Sequence, residues 1–134
     1  MTILRHTAFA IALGATIFGL ATAQAASEFP FGMEMTLDAA PQPGSKKIPT
    51  LEIGESGEAV LDLWCKSGKG QFSVANETVI FVPGAMSDRD CTPTRAQADD
   101  ALVATLSDAA TWRRQGDFVS FIGAKTLRFR LLTN

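Results

Sequence analysis

The chain has 134 residues, with 12 Lys and Arg against 14 Asp and Glu, and a formal net charge of −2 at pH 7. No run of Lys or Arg exceeds two residues, so the sequence lacks the clustered basic face that nucleic-acid binding needs. A length of 134 residues predicts a single domain. The lack of a basic face predicts that no nucleic acid is a partner.

Residues 1–25 have the pattern of a signal peptide. Arg5 precedes an uncharged apolar stretch, residues 8–21, and a small-residue cleavage motif that ends at Ala25. The stretch is interrupted by glycines and is shorter than the ~20 residues of a membrane span. We expect cleavage near Ala25/Ala26 and no stable membrane span afterwards. No cysteine near that site offers lipid attachment, so a periplasmic or secreted monomer is expected.

Alternating apolar and polar residues predict short strands in the first half of the mature chain. Five are expected, at residues 31–38, 50–53, 58–65, 71–75 and 78–82. The proline-rich stretch 39–49 predicts a loop, and residues 66–70 are expected to turn the chain. Asn76 predicts a tight hairpin turn, because asparagine adopts positive φ at low cost. Pro83 is expected to end the sheet.

One helix is predicted next. Thr94 and Gln97 have the spacing of a capping box, and Arg95 and Asp99 are expected one turn apart on the outer face. Apolar residues recur at helical spacing: Ala98, Leu102, Val103 and Leu106. Three strands follow, at residues 111–115, 118–122 and 126–132. The prediction is a mainly β fold: about eight short antiparallel strands in a small, closed or nearly closed barrel, with the helix over one opening.

The two cysteines, Cys65 and Cys91, predict one disulfide, because an exported chain meets an oxidising compartment. Closing the loop of 25 intervening residues would stabilise the fold by roughly 3 kcal/mol in the chain-entropy model. The alternative is two separate buried thiols, because free cysteine packs as a small hydrophobe.

The sequence favours no enzyme. Its one histidine, His6, lies in the signal peptide, so the mature chain has no Ser–His or Cys–His pair and a poor set of zinc ligands. The acidic pairs are interpreted as solvated, because a calcium loop needs more oxygen ligands in register. These pairs are Asp88 with Asp90 and Asp99 with Asp100. We predict no catalytic residue, no metal and no cofactor.

Two groups of side chains are candidates for binding. Four arginines on the last strands form a candidate surface for an acidic partner or an anionic lipid head, and ordinary solvated positions are the alternative. They are Arg113, Arg114, Arg128 and Arg130. Five phenylalanines are expected in the core, or lining an acyl pocket if the barrel is cracked. They are Phe72, Phe81, Phe118, Phe121 and Phe129.

The order of motifs resembles that of the META domain, the family of the bacterial heat-shock protein HslJ. The first half supplies residues 49–53, Gly57, Cys65, Gly70 and Phe72, and the second half Cys91, the helix, residues 116–121 and Leu127 with Phe129. The resemblance spans residues 31–132. The chain departs from the usual family residues at Trp64, Lys66, Gly68, Arg89 and Asp90.

This resemblance implies a cracked β-barrel with one helix, similar in fold to small secretion-pilot lipoproteins that hold an acyl chain. It implies no established enzyme activity and a link to envelope or antibiotic stress. The first hypothesis is a non-enzymatic, binding-based stress role. The alternatives are a barrel that binds a lipid or small apolar ligand and a periplasmic inhibitor or partner-binding module that acts on an envelope protein. For the last, Cys65, Gly68 and Phe72 faintly resemble small periplasmic lysozyme inhibitors.

Overall fold

The computed structural model of the protein describes residues 28–87 and 90–133. The predicted signal peptide lies outside the described residues. The described chain forms eight strands and one helix in the order β1 Met33–Leu37, β2 Thr50–Ile53, β3 Glu58–Asp62, β4 Ser67–Ala75, β5 Thr78–Ser87, α1 Pro93–Asp108, β6 Thr111–Gln115, β7 Phe118–Ile122 and β8 Thr126–Leu131. Within these residues, no helix is long and apolar enough to cross a membrane.

The strands form one antiparallel ring in chain order, which β1 and β8 close through pairs such as Met35 with Leu131. The ring is weakest between β5 and β6, for which the described residues give a single register pair, Thr78 with Thr111. Helix α1 contacts β5 and β8. The predicted fold class, a mainly β barrel of about eight strands with one helix, is confirmed.

Antiparallel pairing gives the barrel two different ends. Three short turns lie together at one of them, which we call the hairpin end: residues 54–57, 76–77 and 116–117. The other, the helix end, carries the loops 38–49 and 63–66 and the start of α1. Every second residue of a strand faces inward, so the core lies between these ends.

Large apolar side chains fill the barrel interior. Four of the five phenylalanines considered above are at most 3% exposed: Phe72, Phe81, Phe121 and Phe129. Phe118 is half-buried on the outer face instead. Phe29, from the segment before β1, is 6% exposed and adds its ring to this aromatic core.

The turn between β3 and β4 comes earlier than predicted. Strand β3 ends at Asp62, and β4 begins at Ser67 rather than at residue 71. The glycines of this stretch are strand residues with close neighbours. A Cβ at Gly70 would lie 2.4 Å from the Phe81 ring, so the strand position itself requires glycine.

The prediction that Pro83 ends the sheet is wrong. Strand β5 continues to Ser87, with Pro83 opposite Gly70. A register shift between Gly68 and Gly70 accommodates one extra residue in β5. Proline is tolerated here because, within the described chain, β5 pairs with β6 only at Thr78, so no ladder donor is lost at Pro83.

The helix begins earlier than the predicted capping box. Thr92 is the N-cap, and its Oγ1 accepts a hydrogen bond from the Arg95 amide at 3.4 Å. Pro93 follows in the first turn, where its fixed φ suits a helix and its missing N–H is not needed.

Candidate functional site

A disulfide joins Cys65 to Cys91, with the two Cα atoms 5.7 Å apart. Cys65 lies in the loop between β3 and β4, and Cys91 lies just before α1. The bond therefore ties the helix to the loop at the helix end of the barrel. Both cysteines are partly buried.

A buried carboxylate holds the same loop. Asp99 of α1 is 0% exposed, and its Oδ1 accepts the Trp64 amide at 2.9 Å. Its Oδ2 accepts the amides of Cys65 and Lys66 at 2.9 and 2.7 Å. Hydrogen bonds to a charged acceptor are stronger than neutral ones, so one side chain orders three consecutive residues. We call Asp99 and the disulfide the loop anchor.

The expectation that Asp99 lies on the outer face of the helix is wrong. Asp99, Leu102 and Leu106 are the buried residues of α1, at the i, i+3, i+7 spacing of one helix face. This spacing in the sequence could have predicted the buried face of α1. It was missed because a charged residue such as Asp99 is ordinarily expected on the exposed face. Asp100 is exposed as expected and pairs with Lys66 at 2.8 Å. Asp88 lies outside the described residues.

The geometry of the loop anchor fits a structural role. Both oxygens of Asp99 are occupied by backbone donors, and the side chain is 0% exposed. Across residues 28–87 and 90–133, no group of three or more His, Cys, Asp or Glu side chains is arranged to hold a metal ion.

Three of the four predicted arginines lie on the outer face of β6–β8. Arg113 on β6 and Arg128 on β8 both pair with Ser120 of β7. Two strand spacings therefore separate their Cα atoms, which is about 10 Å. Arg130 pairs with Phe118. The guanidinium carbons of Arg128 and Arg130 lie 4.6 and 5.0 Å from the Phe118 ring centroid. We call Arg113, Phe118, Arg128 and Arg130 the basic strip.

The charges of the strip are only partly neutralised. Arg128 forms an ion pair with Asp38, and its Nε donates to Asp38 Oδ2 at 2.7 Å. In the described part of the chain, Arg113 and Arg130 have no carboxylate partner within ion-pair distance. Two positive charges are therefore available to a partner.

The fourth arginine, Arg114, is separate from the strip. It pairs with Val119, which is fully buried, so it faces the barrel interior at the hairpin end. Its Nη1 donates to the carbonyl oxygen of Glu28, and its Nε to that of Gly116, both at 3.2 Å.

The outer face of β1–β3 has the opposite charge. Glu34 and Glu52 are directly paired across β1 and β2, and both are exposed. Glu58 and Asp62 are exposed on β3. The barrel surface thus carries acidic and basic strands on different sides.

The described surface has several open depressions, of about 210 to 390 Å³. One, of about 240 Å³, lies between α1 and the barrel and is lined by Leu37, Trp64, Leu102 and Leu127 among others. Four of the five phenylalanines considered for an acyl pocket pack against one another instead, with Phe72 and Phe81 centroids 4.8 Å apart.

Comparisons with known proteins match this architecture. The model of the META domain family matches residues 32–133. A solved structure described as "NMR structure of the protein" has a TM-score of 0.59 and 19% sequence identity, over 75% of this chain and 89% of that chain. At this identity the likeness concerns the fold alone. No curated protein matches the chain.

Proposed function

The chain belongs to the META domain family, and from this premise we propose that it is an exported, non-enzymatic binding module that holds an acidic protein partner on its basic strip. Export is supported by the Cys65–Cys91 disulfide, because such bonds persist in oxidising compartments. The absence of histidine from the chain after His6 supports a role without acid–base catalysis near neutral pH. The proposed role is tolerance of envelope stress.

The observation that carries the proposal is the arrangement of Arg128 and Arg130 around Phe118. Among residues 28–87 and 90–133, no carboxylate lies within ion-pair distance of Arg130 or Arg113. Arginine and aromatic residues are enriched at protein interfaces and among their energetic hot spots. An arginine already stacked on a ring loses less side-chain entropy when a carboxylate binds.

An acidic protein fits this surface better than an anionic membrane. The whole chain has a net charge of −2, which opposes approach to a negatively charged lipid surface. A protein partner needs complementary charge only over the strip itself, so the acidic side of β1–β3 can face away from it.

A site-specific photo-crosslinker tests the proposal. With benzoylphenylalanine at Ser120, inside the strip, crosslinking in the native envelope should yield one acidic partner. The same probe at Val60, which is 45% exposed on β3, should not. Adding the Arg130→Glu substitution should abolish the Ser120 product, whereas Lys69→Glu, the same charge change on β4, should leave it intact.

Function is tested in a deletion strain challenged with envelope-acting antibiotics. The wild-type and Lys69→Glu chains should restore tolerance, and the Arg130→Glu chain should not. Equal crosslinking from Ser120 and Val60, or full restoration by Arg130→Glu, would contradict the proposal. Co-sedimentation of the protein with phosphatidylglycerol vesicles, lost on Arg130→Glu, would instead point to a lipid partner.

A further inference from the structure

The hairpin end of the barrel is closed by a segment that is not part of the wall. Phe29 precedes β1 and pairs with no strand of the described chain, yet it is only 6% exposed. Its ring lies 5.1 Å from that of Trp112 and 5.7 Å from that of Phe72. The rings of Trp112 and Phe72 form a socket, and Phe29, which we call the plug, fills it from outside the barrel wall.

The residue before the plug supplies a matching negative charge. The Glu28 carboxylate lies 3.9 Å from Arg114 Nη1, and the Glu28 carbonyl accepts a hydrogen bond from the same nitrogen. The Arg114 side chain is 21% exposed, so solvent reaches this cation. The segment therefore presents a carboxylate to Arg114 and an apolar ring to the socket at the same time.

An open depression of about 350 Å³ adjoins the plug, and Arg114 is part of its lining. Met33 and Leu132 also line it and are 40% and 53% exposed. This combination of exposed apolar surface with one cation suits a ligand that is apolar along its length and anionic at one point. Glu34 lines the depression too and disfavours an anion at its own position.

We propose that the hairpin end is a binding site for an amphipathic anion, a carboxylate attached to an apolar chain or ring. Its carboxylate takes the place of that of Glu28 on Arg114. Its apolar part displaces the Phe29 ring and extends along Met33 and Leu132. In the free protein, residues 28–29 occupy the site as an intramolecular mimic of the ligand, so ligand affinity is set by competition with this segment.

The site is independent of the basic strip, which lies on the outer face of β6–β8. Binding of a small ligand here requires Arg114 and the Phe29 socket, whereas the acidic partner requires Arg130. Variants of the two sites therefore separate the two proposals.

Calorimetric titration with dodecanoate below its micelle concentration tests the site, and dodecanol is the neutral probe. The wild-type chain should bind dodecanoate more tightly than dodecanol. Phe29→Ala should tighten dodecanoate binding, because the competing ring is gone. Arg114→Gln should weaken it about tenfold or more, as loss of a charge-assisted bond predicts. The matched control Arg113→Gln, one residue along β6 but on the outer face, should bind as the wild type does.

Glu28→Gln keeps the plug ring and changes one exposed side chain, so it tests the mimic even if Phe29→Ala folds poorly. It should tighten dodecanoate binding more than it tightens dodecanol binding, because only dodecanoate takes the place of the Glu28 carboxylate. The proposal is overturned if folded Phe29→Ala and Glu28→Gln bind dodecanoate no better than the wild type. Equal weakening by Arg113→Gln and Arg114→Gln would also overturn it, since the ligand would then lie on the outer face.

Discussion

At the scale of single residues, Asp99 is the most consequential polar side chain described. A buried carboxylate is costly unless its lone pairs are satisfied, and here three backbone amides of the loop 63–66 satisfy them. Those amides in turn depend on Asp99 as their acceptor, because a loop residue has no neighbouring strand whose carbonyl oxygens could accept its N–H groups. The helix and the loop are thus each incomplete without the other.

Replacing Asp99 by Ala should lower the free energy of unfolding by about 3–5 kcal/mol, because three partly buried amide donors lose a charged acceptor. Asp99→Asn should be intermediate, since an amide keeps one accepting oxygen. Urea unfolding followed by circular dichroism measures both. The control is Asp100→Ala on the exposed face, which should change stability by less than about 1 kcal/mol. Equal effects of the two alanine variants would contradict the anchoring role.

At the scale of the secondary-structure elements, the outer faces of the strands are not equivalent. The strands β6–β8 carry the basic strip, while β1–β3 carry exposed carboxylates, including the directly paired Glu34 and Glu52. Like charges opposite each other destabilise a strand pair. The β1–β2 pair therefore depends on its inward residues, such as Met35 and Leu51, which are at most 1% exposed.

Glu52→Lys should raise the free energy of unfolding by about 0.2–1 kcal/mol, because it turns a like-charge pair with Glu34 into an opposite-charge pair. The gain should shrink in 1 M NaCl, where the Debye length is about 3 Å. Thermal unfolding at low and high salt measures this. The double variant Glu34→Lys/Glu52→Lys restores like charges and should lose the gain. A gain retained by the double variant would place its cause outside this pair.

At the scale of the whole molecule, the barrel is closed at both ends by segments outside its wall. Helix α1, the disulfide and Asp99 act at the helix end, and Phe29 fills the hairpin end. The disulfide links positions 26 residues apart in sequence and so restricts the unfolded chain across the whole β4–β5 hairpin. The loop anchor therefore combines a covalent restraint with three hydrogen bonds to the same loop.

Replacing both cysteines by Ser should lower the free energy of unfolding by roughly 3 kcal/mol, as loop-closure entropy predicts, without loss of the native ring. The loop should stay docked because Asp99 still binds its three amides. Hydrogen exchange should therefore show protected amides at residues 64–66 in the double variant. Their full exposure, with the rest of the barrel intact, would mean that the disulfide alone holds the loop.

The sequence alone determined the elements that depend on local pattern. Alternation of apolar and polar residues predicted β2, β6 and β7 with the bounds observed. A period of two in side-chain polarity arises when one face of a strand is exposed to solvent and the other faces the core. Helical spacing predicted α1, and the number and order of the elements identified the family. The pairing of the two cysteines was also the expected one, since the chain contains no other cysteine.

The tertiary structure alone decided whatever depends on partners far along the chain. Asp99 is buried because amides 33 to 35 residues away meet it, and Pro83 stays in a strand because its neighbour across the ring is missing. Phe118 faces outward between two arginines, and Arg114 faces inward toward Glu28, because ring closure assigns each strand its inner face. Local pattern records a residue's own polarity, whereas burial of a charge or exposure of a ring depends on which distant groups the closed barrel brings to it.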